Sequence, residues 1–159
     1  MGKKRGFTLV EILISVILIG MVIAGLMEAN IGFTRANGVG INLSKAEFLI
    51  EQIREFSLLL ETVDPESSSA TFGAEEASLT DYDDIDDFDG KTFNPPIDTQ
   101  RQRLNYLSAF SQEITVENVA ASNLEQVVAD HGSNFIRMTV KINLNGQEIS
   151  SASWIRARY

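Results

Sequence analysis

The feature that most constrains this chain is an apolar run near its start. Phe7 to Met27 reads FTLVEILISVILIGMVIAGLM, with Glu11 as the only charged side chain. A helix rises about 1.5 Å per residue, so a run of this length matches the hydrocarbon core of a bilayer. The basic cluster KKR at residues 3–5 precedes it, and such clusters favour the cytoplasmic side. The run therefore predicts one membrane-spanning helix with a cytoplasmic N-terminus and an exported remainder.

A cleaved secretory signal peptide is the alternative interpretation of this run. A basic start, an apolar stretch and the small-residue site Val22-Ile23-Ala24 fit such a peptide, whose mature chain would begin at Gly25. Glu11 argues against it, because an acidic side chain costs on the order of 2.5–3.5 kcal/mol near the centre of a membrane helix, and a smaller amount nearer the end, where Glu11 lies. A carboxylate in that setting needs a function and a partner.

Residues 3–11, KKRGFTLVE, resemble the leader and mature start of type IV pilins and type II secretion pseudopilins. The resemblance implies cleavage after Gly6 by a prepilin peptidase and N-methylation of Phe7 by a methyltransferase. It also implies that the apolar run stays on the mature protein as a membrane anchor and assembly helix. Its partners would then be other pilin or pseudopilin subunits.

Glu11 is the predicted assembly charge. Cleavage would create an amine on Phe7, and Glu11 lies four residues further on, about one helical turn away. The carboxylate can therefore pair with the amine of its own or a neighbouring subunit. Such a pair would offset the cost of burying both charges and would set the axial register of packed helices. No catalytic residue is predicted.

The helix is predicted to continue beyond the membrane and to end near Thr62. Over residues 41–60 apolar side chains recur every three or four positions, as on one face of an amphipathic helix. That face is formed by Ala46, Leu49, Ile53, Phe56 and Leu60. Gly38 and Gly40 predict a bend or an unwound turn around residues 37–40, because each glycine costs a helix about 1 kcal/mol relative to alanine.

Residues 81–90, termed the acidic segment below, contain six aspartates in DYDDIDDFDG. One interpretation is a solvated acidic loop that Tyr82, Ile85 and Phe88 hold against the domain. The other is an ion site, because clustered carboxylates suit a hard cation such as Ca²⁺. Its candidate ligands are Asp83, Asp84, Asp86, Asp87 and Asp89. The spacing is not that of an EF-hand, whose first and last ligands would fall on Ile85 and Pro96. No other cofactor is predicted.

Within the pilin superfamily, the acidic segment is similar to the aromatic-DD-aliphatic-DD-aromatic-x-G motif of MSHA-type (MshD-like) minor prepilins. YDDIDDFDG, followed by Pro95-Pro96, carries this pattern, and Phe88-Asp89-Gly90 approximates its ending. The resemblance implies a minor type IV pilin, a structural subunit for initiation or the tip of a pilus; it implies no ion-binding role. A type II secretion pseudopilin is the alternative, because it shares the leader and the core helix.

The C-terminal third predicts an antiparallel sheet of about four strands. Residues 112–119 and 124–129 read as strands, followed by a turn at 130–134. Residues 136–144 then alternate strictly between apolar and polar side chains, and Asn145-Gly146 is a strong signal for a two-residue hairpin turn.

The hairpin turn also predicts a register for its two strands. A two-residue turn at 145–146 pairs Ile142 with Ile149, on the face buried against the amphipathic helix. It pairs Arg137 with Trp154 on the outer face, where the two side chains can form a cation–π contact.

These elements predict an α+β, pilin-like fold in which a long N-terminal helix packs on a C-terminal antiparallel sheet. The predicted segments are a leader (1–6), a membrane-spanning half of the helix (7–28), an amphipathic half (29–62), a variable acidic loop region (63–111) and the sheet (112–159). The protein would sit in the inner membrane with a periplasmic C-terminal domain, and later in an extracellular or periplasmic filament.

Composition argues against other classes of function. The net charge of −9 becomes −12 once the three basic residues of the leader are removed, so the mature chain repels phosphate backbones and nucleic acid is not an expected partner. Cysteine is absent and His131 is the only histidine, so no thiolate or histidine-based site is predicted. The chain has no Gly-x-Ser-x-Gly or His-Glu-x-x-His motif, and an enzyme is not expected.

Overall fold

The chain forms two compact units, Met1–Asn42 and Leu43–Tyr159. A computed structural model describes residues 6–62, 72–74 and 76–158. The basic cluster at residues 3–5 and part of the predicted acidic loop region lie outside these ranges. One long helix and a five-stranded antiparallel sheet give the α+β, pilin-like layout that the sequence predicted.

Helix α1 spans Leu9–Ser57, and it is helical at every position between these ends. Of the predicted bend or unwound turn at residues 37–40, the unwound turn is therefore wrong, and the bend stays a prediction. Glycine lowers helix stability but keeps its main-chain N–H and C=O groups, so helical hydrogen bonding can continue through it. The helix also ends five residues before the predicted Thr62, and Leu58 and Leu59 form a turn.

The sheet belongs to the C-terminal unit and has the strand order β1-β2-β4-β5, with β3 paired to the end of β2. The strands are β1 (Thr92–Phe93), β2 (Phe110–Ala120), β3 (Asn123–Val127), β4 (Phe135–Leu144) and β5 (Gln147–Ala157). The strands predicted over 112–119, 124–129 and 136–144 are confirmed to within a few residues. Strand β1 was not predicted, because two residues are too short to show an alternating pattern.

The core of the C-terminal unit lies between the last four turns of α1 and one face of the sheet. The predicted helix face is confirmed, since Ala46, Leu49, Ile53 and Phe56 are buried and Leu60 is partly buried just beyond the helix. The sheet contributes the alternating residues of β4, which are Ile136, Met138, Val140 and Ile142.

The register of the β4–β5 hairpin differs from the predicted one. Pairing starts as expected at Leu144 and Gln147, but a bulge between Ile142 and Asn143 shifts β5 by one residue, so that Ile142 faces Ser150. Because side chains alternate between faces, a shift of one residue moves every later side chain of β5 to the opposite face.

The shift changes the partners of the two residues predicted to form a cation–π pair. Trp154 lies opposite Met138 on the buried face, and the Arg54 guanidinium is 6.0 Å from its ring centroid. Arg137 lies on the other face and forms an ion pair with Glu117 at 2.7 Å. The predicted contact between Arg137 and Trp154 is therefore wrong.

The same shift places Arg156 on the face that carries α1. Its guanidinium donates to the main-chain carbonyl of Ser57, and to that of Leu60 at 3.1 Å. The last carbonyls of a helix have no partner within the helix. Arg156 supplies one for Ser57, and a positive charge at a helix C-terminus is favourable. Because the bulge moves Arg156 to this face, the end of β5 is hydrogen-bonded to the end of α1.

We expect Arg156→Ala to lower the free energy of unfolding of the C-terminal unit by about 1.5–3 kcal/mol, the range for hydrogen bonds to charged groups. Urea denaturation of the full chain in detergent, followed by the fluorescence of Trp154, measures it. Arg103→Ala is the matched control, because exposed Arg103 contacts two carbonyls only at 3.3 and 3.4 Å. That variant should change stability by less than about 0.5 kcal/mol. Equal effects of the two variants would contradict the assigned role of Arg156.

Candidate functional site

Gly6 and Phe7, the predicted cleavage site, are both exposed. Phe7 is 85% exposed, and a Cβ atom added to Gly6 would meet no other atom within 4 Å. The fold of the single chain therefore does not require glycine at position 6. A requirement for glycine there would come from an enzyme that binds this segment.

Thr8 and Glu11 form a reciprocal cap at the start of α1. Glu11 Oε2 accepts hydrogen bonds from the main-chain N–H of Thr8 at 2.9 Å and from its hydroxyl at 3.0 Å. The main-chain N–H of Glu11 donates to Thr8 Oγ1 at 3.3 Å. This is a capping box, and the pattern T-x-x-E is its sequence signature, although the sequence prediction used Glu11 only as an assembly charge and missed Thr8. The assembly role of Glu11 stays a prediction.

The first half of α1 is apolar on all sides. Every large hydrophobic residue from Phe7 to Met27 exposes at least half of its surface. The helix contains an 18-residue window with a mean hydropathy of 2.7 and no buried residue, and among the described residues it is the one helix long and apolar enough to cross a membrane. Ser15 donates its hydroxyl to the Glu11 carbonyl at 2.7 Å, which satisfies that donor without water. A helix that is hydrophobic all round needs to be covered by lipid or by other helices.

The acidic segment is fixed to the C-terminal unit by its apolar residues. Ile85 and Phe88 are fully buried. The ring centroid of Phe88 lies 4.9 Å from that of Phe56 on α1 and 5.2 Å from that of Tyr82. The predicted anchoring by Tyr82, Ile85 and Phe88 is therefore confirmed.

Three aspartates of this segment are buried, so the expectation of a solvated loop is wrong. Asp84, Asp86 and Asp87 are each at most 2% exposed. The short 3₁₀ helix Asp86–Phe88 places Phe88 in the core, and the carboxylates of Asp86 and Asp87 are buried beside it. Asp84 Oδ1 accepts the main-chain N–H of Asp87 at 3.1 Å, and Asp87 Oδ2 accepts those of Asp83 and Asp84 at 3.0 and 3.4 Å. Carboxylates thus replace water as partners of this buried main chain.

The predicted ion ligands do not form a single group. Asp89 Oδ1 accepts the main-chain N–H of Val116 on β2 at 2.8 Å, so Asp89 joins the acidic segment to the sheet.

Burial raises the pKa of Asp84 to about 8, and the hydrogen bond and charge of Asp86 raise it as well. This pair of carboxyl groups lies in a dry setting that disfavours the charged form.

Asp83 and Asp87 instead meet a third carboxylate, that of Glu76. Oxygens from these three side chains, termed the carboxylate cluster below, all lie within 4.8 Å of one another. The carboxyl of Asp87 is close enough to share a proton with Glu76, and this contact raises the pKa of Glu76 to about 7; burial and the charge of Asp83 add to the effect. Glu76 was not among the predicted ligands, because it lies seven residues before Asp83 and outside the aspartate run.

Arg101 holds residues 79–82, the chain between Glu76 and Asp83, in place. The sequence prediction missed this residue. Its guanidinium donates to the main-chain carbonyls of Leu79, Thr80 and Tyr82 at 3.1, 3.2 and 2.5 Å. It also lies 5.7 Å from the ring centroid of Phe88. Arg101 is thus committed to carbonyl groups and an aromatic ring, and its contacts position the chain that leads into the carboxylate cluster.

Comparison with known proteins gives one match, at the N-terminus. A family model described as the prokaryotic N-terminal methylation motif matches residues 1–27, which include Gly6, Phe7, Thr8 and Glu11. No curated protein and no solved structure matches the chain.

Proposed function

We propose that this chain, whose first 27 residues carry the methylation motif that is the signature of type IV prepilins, is a minor type IV pilin. The motif indicates a prepilin of the pilin or pseudopilin kind. It therefore supports our proposal of a structural and not an enzymatic role. We assign to it a role in the initiation or at the tip of a pilus. The observation that carries the filament-subunit part of this proposal is the apolar surface of the first half of α1, which is exposed on all sides in the single chain.

The apolar surface suits two successive environments. In the membrane, lipid would cover residues 7–28, with the N-terminus in the cytoplasm and the C-terminal unit in the periplasm of a single-pass inner-membrane protein. In a filament, the same surface would be covered by the corresponding helices of other pilin subunits. The helix needs no rearrangement between the two, because both environments are apolar and its main-chain groups are paired internally.

Processing would take place at the exposed N-terminal segment. A prepilin peptidase would cut after Gly6, and a methyltransferase would modify the new amine of Phe7. The capping box of Thr8 and Glu11 lies on the mature side of this cut and would therefore remain. The amine and Glu11 would then be available for pairing between subunits within the filament core.

The choice between a pilus and a secretion pseudopilus depends on the acidic segment. Its similarity to the motif of MSHA-type minor prepilins favours a pilus. A type II secretion pseudopilin is the second candidate, because the methylation motif and the apolar helix are common to both classes. An exported soluble domain, cut at Gly25, is the least favoured, because it would discard the helix that carries the motif.

Mass spectrometry of sheared surface filaments and of the membrane fraction tests this proposal. We expect the chain in both fractions, beginning at N-methylated Phe7, and in the filaments at a small fraction of the abundance of the main subunit. A chain in the membrane that is cut at Phe7 but absent from surface filaments would favour the pseudopilin. A soluble chain that begins at Gly25 would refute both filament functions.

A further inference from the structure

We propose that Glu76, Asp83 and Asp87 bind one calcium ion, which fixes the acidic segment to the chain that precedes it. The proposal concerns the C-terminal unit and holds whether the filament is a pilus or a pseudopilus. The first support is geometric. Calcium binds oxygen ligands at about 2.3–2.6 Å, so two ligands of one ion lie at most about 5 Å apart. The oxygens of the carboxylate cluster lie within 4.8 Å of one another, which meets this condition for all three pairs.

The second support is the buried carboxylate of Asp87. This side chain is 1% exposed, and its Oδ2 accepts two main-chain N–H groups. Its Oδ1 is also buried, and within the described residues no main-chain N–H or hydroxyl group donates to it; its neighbour is the carboxyl group of Glu76. Glu76 Oε2 is buried in the same way. A desolvated carboxylate oxygen needs a compensating partner, since burying an unpaired charge costs several kcal/mol.

No basic side chain supplies that partner within the described ranges. The ion pairs there are Arg54–Glu51 and Arg137–Glu117, both away from the cluster. Arg101 is occupied by main-chain carbonyls, and the Lys91 ammonium lies over the Tyr82 ring, 5.6 Å from its centroid. Two carboxyl groups as close as Glu76 and Asp87 either share a proton or bind a cation, and Asp87 comes from an acidic segment whose charge attracts cations.

The ligand chemistry favours calcium over magnesium. Calcium accepts six to eight oxygens in a flexible arrangement, so three carboxylates leave room for water and main-chain oxygens. Magnesium demands near-ideal octahedral geometry at about 2.0–2.1 Å, which would require the three side chains to close further. Asp87 is held by its main-chain hydrogen bonds, so this closure is disfavoured.

Calorimetric titration and thermal unfolding of the full chain in detergent, with calcium chloride as the probe, test the proposal. We expect a Kd of about 10⁻⁴–10⁻³ M, as in extracellular calcium modules, and a rise in Tm of about 3–8 °C at saturation. Glu76→Gln and Asp83→Asn should each weaken calcium binding at least about tenfold, because each removes one charged ligand. Asp81→Asn is the matched control, since Asp81 is an exposed aspartate of the same segment, and it should bind calcium like the unmodified chain.

Three results would overturn the proposal. The first is the absence of a calcium response in the unmodified chain. The second is a response that both Glu76→Gln and Asp83→Asn retain. The third is that Glu76→Gln raises the Tm without calcium, while calcium does not change the Tm of either chain. That result would show that the cluster only shares protons. An equal response to magnesium chloride would refute the preference for calcium. Asp87→Asn is not used, because the Asp87 side chain also holds the main chain of its own turn.

Discussion

Replacing Glu11 with alanine is expected to leave the chain cleaved and bound to the membrane but to reduce its incorporation into filaments at least about tenfold. The proposed partner of Glu11 is the amine of Phe7 on a neighbouring subunit, buried among apolar helices. Removing one member of a buried charge pair costs about 2–5 kcal/mol, and each 1.4 kcal/mol corresponds to a factor of ten. Quantitative mass spectrometry of membranes and filaments from the same cells measures the ratio of the chain in the two fractions.

Thr8→Ala is the control that separates assembly from helix capping. It removes the Thr8 hydroxyl, which donates to Glu11 and accepts its main-chain N–H, but keeps the carboxylate and the main-chain N–H of residue 8 that donates to it. Loss of a cap costs about 0.5–2 kcal/mol of helix stability, so a smaller reduction in incorporation is expected. If Thr8→Ala reduces incorporation as strongly as Glu11→Ala, Glu11 acts through the helix start. Normal incorporation of Glu11→Ala would eliminate the assembly role.

Replacing Gln112 with alanine is expected to destabilise the C-terminal unit by about 2–5 kcal/mol. Gln112 is fully buried on β2, and its side chain joins three parts of the fold. Its Nε2 donates to the carbonyl of Leu49 on α1 at 3.0 Å and to that of Ile97 at 3.1 Å, and its Oε1 accepts the N–H of Ile97 at 2.7 Å. The alanine variant would leave a cavity and a buried N–H without a partner, and both are costly. Urea denaturation of the full chain in detergent, followed by Trp154 fluorescence, gives the change.

Gln147→Ala provides the matched control, because Gln147 is an exposed glutamine on β5 of the same sheet. We expect it to change stability by less than about 0.5 kcal/mol. Gln112→Leu separates the two costs, since leucine refills most of the volume but cannot accept the Ile97 N–H. A loss below about 1 kcal/mol for Gln112→Ala would show that the bridge is not important for stability.

Local patterns in the sequence predicted the elements of the fold well. The period of three to four residues placed Leu49, Ile53 and Phe56 on the buried face of α1, and the alternation of β4 placed Met138 and Val140 in the core. Both signals are short-range consequences of helix and strand geometry. The same kind of signal identified the apolar helix and the motif around Gly6 and Glu11.

The exact pairing of one segment with another could not be predicted in this way. The bulge beside Ile142 was invisible, because β5 has apolar or small residues on both of its faces and its pattern fits either register. In the sequence, Gln112 is one of several polar residues of a strand, and the pattern gives no sign that its side chain is buried. Its burial is decided by the carbonyl of Leu49, which is 63 positions away in the chain.

The candidate cation site shows the same limit. The clustered aspartates indicate an ion site or a solvated loop, but composition does not distinguish solvated carboxylates from buried ones. Asp87 is buried because its neighbour Phe88 packs in the core. The fold of the preceding chain then brings the carboxylate of Glu76 close to those of Asp83 and Asp87. Which carboxylates meet is therefore a property of the folded loop and not of the aspartate run.

The sequence by itself determined that this chain has one long apolar helix that begins at a prepilin-type motif and leads into an antiparallel sheet. These features are encoded by neighbouring residues, through periodicity and a contiguous motif. Only the tertiary structure decided the register of β5, the cap that Arg156 places on α1 and the meeting of the Glu76, Asp83 and Asp87 carboxylates. Each of these depends on how side chains pack and pair in the folded chain, and not on the pattern of neighbouring residues.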